Sequence, residues 1–258
     1  MKNPTRTFCA LLVTLLLQFG GFGVAEASET AIERQIQKIK ETYGVQVHYM
    51  YRPEEYFSSR WLKPPISARG EQLSNKEVKR LLPLIESFLS SYPKSVLDKN
   101  LENIYLLSEL FFYGKSFGAT NNKSSLYIKS MGERKGFTNS FLLSRMFSEF
   151  SSILMRNYEF PEKEWQKINP ANFKYLGSGV EMLGTEGLYG QDNKLLSMGF
   201  IVKYSQSSME NDFNMVSDWL FSQPGLLNKL AKKHKKIRMK MELAVKFYKS
   251  IDEGFEFR

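Results

Sequence analysis

Cys9 is the only cysteine in this 258-residue chain, and it lies inside an N-terminal stretch that reads as a secretory signal. Lys2 and Arg6 form a basic n-region, Phe8 to Leu17 an apolar h-region, and Ala25-Glu26-Ala27 a small-residue cleavage site before Ser28. Gln18, Gly20, Gly21 and Gly23 break the apolar run well short of the ~20 residues a membrane span needs. What remains, 28–258, is expected to fold in the periplasm or the extracellular medium with no disulfide, no thiol nucleophile and no thiolate for zinc. Its core alone must hold it. A composition of 42% hydrophobic and 14% aromatic residues suits that task.

Along the chain, Thr30 and Glu33 have capping-box spacing, and Ile32, Ile36, Ile39 and Tyr43 recur at helical intervals before Gly44. Val45 to Tyr51 alternates like a strand, with Val45, Val47, Tyr49 and Tyr51 on one face and His48 on the other. A loop is expected from Arg52 to Ser67. Ser74 and Glu77 open a second helix with Pro83 inside it and Pro93 after it. Asn103 to Tyr113 reads as one buried strand, Lys115 to Ser125 as a turn, and Leu126 to Lys129 as a shorter strand.

Helices are then expected at 138–157, 161–167 and 207–221, with a long one from Pro224 to about Tyr248. Asn169 to Asn193, with five glycines, reads as an irregular surface loop, since no Gly-Lys-Ser/Thr ending marks it as a phosphate loop.

Loss of Lys2, Arg6 and Glu26 takes the formal net charge from +9 to +8. The excess concentrates in Lys229, Lys232, Lys233, Lys235, Lys236, Arg238 and Lys240. Such a cluster can attract anionic lipid or phosphate, or it can be the solvated face of a helix. No nucleic-acid motif or aromatic stacking pattern accompanies it, so no nucleic-acid partner is expected.

One stretch speaks to chemistry. Ser148-Glu149-Phe150-Ser151-Ser152 has the outline of the zinc-protease helix H-E-x-x-H, with serine at both histidine positions. In such a helix two imidazoles four residues apart share one zinc, and the glutamate takes a proton from the bound water. A serine hydroxyl is a poor zinc ligand. By periodicity alone the segment is an ordinary amphipathic helix, with Met146, Phe150, Ile153 and Leu154 facing a core and an Arg145–Glu149 pair on a polar face.

The wider order of segments changes that reading. Gly44-Val-Gln-Val-His-Tyr, the Asn103-Ile-Tyr-Leu-Leu strand, Phe117-Gly-Ala-Thr120, Leu126-Tyr-Ile128 and the Glu149-to-Leu154 helix occur in this order. After them come Pro161-Glu-Lys-Glu-Trp-Gln-Lys-Ile-Asn-Pro170, Gly199-Phe-Ile-Val-Lys-Tyr204 and Ser207-Ser-Met-Glu-Asn-Asp-Phe213. From about Ile32 onward the chain resembles the zinc-binding metallopeptidase family of exported bacterial proteins, a zincin-like family.

The resemblance implies an α+β zincin-like fold: a small mixed sheet, an active-site-type helix and a mostly helical C-terminal half. Residues 28–258 would form one domain, sheet-containing over 28–157 and mainly helical over 158–258. It also implies zinc and a peptide cleft whose edge strand would be Leu126 to Ile128.

The departures fall on the ligands. Against the family's G-F-x-x-x-Y and E-D-F-A-E patterns, Asp212 and Phe213 match, while Asn211 and Met215 replace the two glutamates. Glu210 is the nearest substitute. After the signal the chain has only His48 and His234, neither placed to rebuild a pair.

The expected function is therefore an exported, catalytically inactive relative that binds a peptide or protein in its former substrate cleft, without a cofactor. Glu149 stands at the catalytic position, and Ser148, Ser152, Asn211, Glu210 and Asp212 at or near the former ligand positions. Two alternatives remain open at this point. One is a metal-dependent peptidase with Glu149 as base and Glu210, Asp212 and Glu186 as oxygen ligands. The other is an envelope adaptor whose basic C-terminal helix meets anionic lipid or a partner.

Overall fold

The computed structural model describes residues 30–177 and 187–257. The expected signal, residues 1–27, lies outside them, as do Glu186 and the centre of the glycine-rich stretch.

Helix α1 (30–43) buries Ile32, Ile36 and Ile39 and stops at Gly44, whose φ of 77° is left-handed. Strand β1 (Gln46–His48) is shorter than the alternation suggests. Tyr51 lies beyond it and packs with the opposite cluster from Val45, Val47 and Tyr49. The predicted loop from Arg52 to Ser67 instead contains two short helices, α2 (Pro53–Tyr56) and α3 (Ser59–Leu62). Pro53 pre-sets the first turn of α2, and Ser58 caps α3 by accepting from the Trp61 amide.

Strand β2 (Arg69–Glu71) precedes α4 (Asn75–Leu89), which Ser74 caps by accepting from the Glu77 amide. The capping box is only half made, because the Glu77 carboxylate accepts from Arg80 and Ser130 instead. Pro83 sits inside α4 without ending it. Helix α5 (Lys94–Asn100), which the sequence reading missed, begins directly after Pro93.

The apolar run 103–113 is two strands, not one. Strands β3 (Asn103–Leu107) and β4 (Glu109–Phe112) part at Ser108 and enter different sheets. The predicted turn holds β5 (Lys115–Ser116) and β6 (Ala119–Asn121), and β7 (Ser125–Lys129) follows. A four-stranded sheet runs in the order β1-β3-β7-β6, with β1–β3 and β3–β7 parallel and β6–β7 antiparallel; β2-β4-β5 form a second, antiparallel sheet.

Leu126 to Ile128 therefore lies inside the four-stranded sheet and is not its edge. All five residues of β7 are buried, as expected of a strand covered on both faces. The edge is β6.

On one face of this sheet His48, Tyr105 and Tyr127 occupy the same register, and their rings stack at 4.5 and 4.8 Å. His48 also hydrogen-bonds the Asn103 side chain at 2.8 Å, so it serves packing. The other face meets the main apolar core, into which α4 and α6 (Asn139–Asn157) pack. Thr138 caps α6 through the Phe141 amide.

Beyond α6 lie α7 (Glu162–Ile168), α8 (Asn193–Met198) and α9 (Met209–Ser222), the last capped by Ser208. The long terminal helix expected from Pro224 is two helices, α10 (Pro224–Lys233) and α11 (Lys235–Ile251). His234, at φ −123° and ψ 104°, breaks them apart.

Candidate functional site

Helix α6 crosses beneath the four-stranded sheet and packs on α9, which places the polar face of α6 between β6 and the first turn of α9. A cavity of about 440 Å³ opens there. Glu149 and Ser152 from α6, Glu210, Asn211 and Asn214 from α9, and Gly118 to Asn121 from the edge strand line it. Tyr189 and Tyr204 close one side.

Four of the six residues singled out from the sequence thus meet in this cleft: Glu149, Ser152, Glu210 and Asn211. Ser148 is buried and is not part of the cleft wall.

Asp212 is a correction. One residue further along α9 than Asn211, it points away from the cleft into the core and is fully buried. Its Oδ2 accepts from the Trp165 indole at 2.9 Å, the Tyr175 hydroxyl at 2.8 Å and the Lys240 ammonium at 2.5 Å. Lys240 is the second correction. It belongs to no basic patch, being fully buried, with its ammonium 4.1 Å from the Phe200 ring centroid.

Burial pushes the Asp212 carboxyl pKa up and the Lys240 ammonium pKa down, and their contact opposes both shifts. Gly199 permits this packing: its φ is +95°, and a Cβ there would meet the Lys236 Cβ at 2.9 Å. Of the remaining basic cluster, Lys229, Lys232, Lys233, Lys235 and Arg238 are exposed and Lys236 is half-buried.

Several polar side chains of the cleft bond one another, while Arg145 Nε and Asn214 Oδ1 are buried without a hydrogen-bond partner among the described residues. Asn121 of β6 donates its side-chain amide to Glu149 Oε2, and its carbonyl oxygen accepts from Arg156, which also reaches Asn122 O at 3.0 Å and Glu210 at 3.2 Å. The Arg145–Glu149 pair expected from helical spacing gives way to this arrangement. Asn214 donates to Ser152 Oγ at 2.7 Å.

Burial raises the Glu149 pKa; the Asn121 hydrogen bond and Arg145 oppose the shift, and Glu210 adds to it. Tyr204 is likewise pushed up to about 12, chiefly by burial.

The donor set does not fit zinc. The Ser152 hydroxyl accepts from Asn214, Asn211 offers only a side-chain amide, and the two carboxylates, Glu149 and Glu210, already accept from Asn121 and Arg156. Among the described residues no group of three or more His, Cys, Asp or Glu side chains converges to hold a metal ion. The oxygen-ligand alternative loses Asp212 to Lys240, and its Glu186 lies outside the described residues.

Sequence reasoning missed Asn121 and Asn214, and it read Arg145 only as a helical partner of Glu149. Asn214 carried a usable signal, since it stands three residues from Asn211 on the same face of α9. Asn121 carried none.

A family model described as "Putative zinc-binding metallo-peptidase" matches residues 26–252. The chain belongs to that family. Family membership agrees with the mixed α+β architecture. No curated protein matches the chain.

Among solved structures, the fold is similar to a crystal structure, at 2.10 Å resolution, of a "putative zinc-binding metallo-peptidase" from Bacteroides caccae. The TM-score is 0.58 at 14% identity, covering 90% of this chain and 88% of that one. At that identity the likeness speaks to the fold. Of the residues singled out from the sequence, Asp212 joins Trp165, Gly199 and Phe200 in the packing around Lys240, whereas Ser152 and Asn211 face the cleft.

Proposed function

We propose that this member of the family is exported, holds no zinc, and binds an extended peptide or protein segment by adding it as a strand to β6. The supporting observation is the phase of the β6–β7 ladder. The Lys129 amide donates to Gly118 O, and the Asn122 amide to Ser125 O, each at 3.0 Å. In an antiparallel pair these bonded positions alternate, so Gly118, Thr120 and Asn122 face β7 while the backbone N–H and C=O groups of Ala119 and Asn121 point out along the cleft. An unpaired strand edge beside a groove is the template for strand addition, with backbone bonds supplying affinity and side-chain pockets supplying selectivity.

Ala119→Pro tests this directly. Proline removes an outward N–H and leaves the β7 ladder intact. A positional-scanning library of labelled hexapeptides should bind the purified protein by fluorescence polarisation. Ala119→Pro should weaken that binding by roughly tenfold or more, the loss of about one charge-free hydrogen bond plus the steric block, with an unchanged melting temperature. Unaltered binding in the variant would sink strand addition. Stoichiometric zinc in the purified protein, by elemental analysis, would overturn the metal-free reading.

A further inference from the structure

Arg145 lies on α6 one turn before Glu149, and its side chain lines both the cleft and an adjoining cavity of about 360 Å³. Its guanidinium carbon is 5.5 Å from the Phe141 ring centroid and 5.7 Å from that of Tyr189. Aromatic faces on two sides hold a cation in place without neutralising it.

Of its five N–H donors, one is used among the described residues, Nη2 to Ser144 Oγ at 3.1 Å. Nε is buried with no hydrogen-bond partner among the described residues. A buried donor left unmade costs free energy and offsets part of what the aromatic contacts contribute.

The carboxylates nearby are committed elsewhere. Glu149 accepts from Asn121, and Asp218 accepts from Ser144 at 2.5 Å and Ser222 at 2.8 Å. Both feel Arg145 electrostatically, and neither forms an ion pair with it. Arg156, one helix turn beyond Ser152, is already paired with Glu210 at 3.2 Å. Arg145 is thus a fixed positive charge with spare donors, facing two connected cavities.

The geometry points to Arg145 as a carboxylate-recognition residue: a peptide in the cleft sets a carboxylate, from an acidic side chain or from its C-terminus, against the Arg145 guanidinium between Phe141 and Tyr189. A planar carboxylate matches the guanidinium fork with two parallel bonds. The neighbouring Glu149, Glu210 and Asp218 favour a monoanion over a phosphate dianion, whose larger charge they repel. The inference rests on the cleft being a peptide site.

The test measures binding of hexapeptides by fluorescence polarisation in two arms: Glu against Gln at each position, and free-acid against amidated C-termini. Wild type is expected to prefer the acidic member of one arm by roughly tenfold or more, as for other desolvated charge pairs. The arm that carries the preference identifies the source of the carboxylate. Arg145→Gln should bring the ratio close to one while neutral peptides still bind, and Arg145→Lys should recover part of it.

Peptide binding without an acidic preference, or a preference that survives Arg145→Gln, overturns the inference and leaves the cleft reading standing. Absence of all peptide binding by wild type overturns both. Melting temperatures of the two variants guard against loss of fold, and Arg145→Lys, which keeps the charge, decides the matter if Arg145→Gln unfolds.

Discussion

The two faces of α9 have met different fates. On the core face, Asp212 sits among Lys240, Trp165, Tyr175 and Phe200, with three donors converging on one carboxylate oxygen. On the cleft face, one residue away, Asn211 donates to Ser207 Oγ at 2.8 Å, and Asn214 donates to Ser152. A buried charge cannot lose its partner without a large penalty, whereas a half-buried cleft residue answers only to whatever the cleft must bind. The inner face is therefore held by its partners, and the outer face is freer to change.

That contrast breaks first at Lys240. Lys240→Met leaves the Asp212 carboxylate buried without its cation and is expected to cost about 3–5 kcal/mol in chemical denaturation. Adding Asp212→Asn, whose carbonyl can still accept from Trp165 and Tyr175, should restore most of it. A loss below about 1 kcal/mol for the single variant would place the two faces of α9 on equal footing.

A smaller effect is expected across the cleft. Ser152→Ala strands the Asn214 amide, which is buried and hydrogen-bonded only there among the described residues, for about 1–3 kcal/mol by the same measurement.

The smallest effect is a gain. Burial raises the Glu149 pKa above its ordinary 4.5, so the fold favours the protonated acid. The corresponding stability is full below pH 4.5 and is lost as pH rises through the raised value. Glu149→Gln stays neutral and can still accept from Asn121. It should melt above wild type at pH 7, with the gap closing toward pH 4.5; a pH-independent gap would contradict the burial account.

The sequence was legible where periodicity and caps agree. Thr138 and Ser208 mark the starts of α6 and α9, and the apolar spacing of Met146, Phe150, Ile153 and Leu154 fixes the inward face of α6. It was least legible at β6. Gly118, Thr120 and Asn121 read as a turn because an edge strand that faces a polar groove needs no alternating apolar pattern, and its pairing is set by β7.

The break at His234 has no glycine or proline to announce it. Lys240 looked like a surface charge because its partner lies 28 residues earlier, on another helix. Likewise, nothing local to Ser108 shows that an apolar run will divide between two sheets.

The side chain of Asn121 joins the edge strand to α6, and Arg156 extends that link to α9 through Glu210. The jaws of the groove are therefore clasped before any guest arrives. A clasped groove is preorganised: each wall side chain already held still spares roughly 0.5–1.5 kcal/mol of ordering cost on binding. It also fixes the width of the opening before any ligand enters.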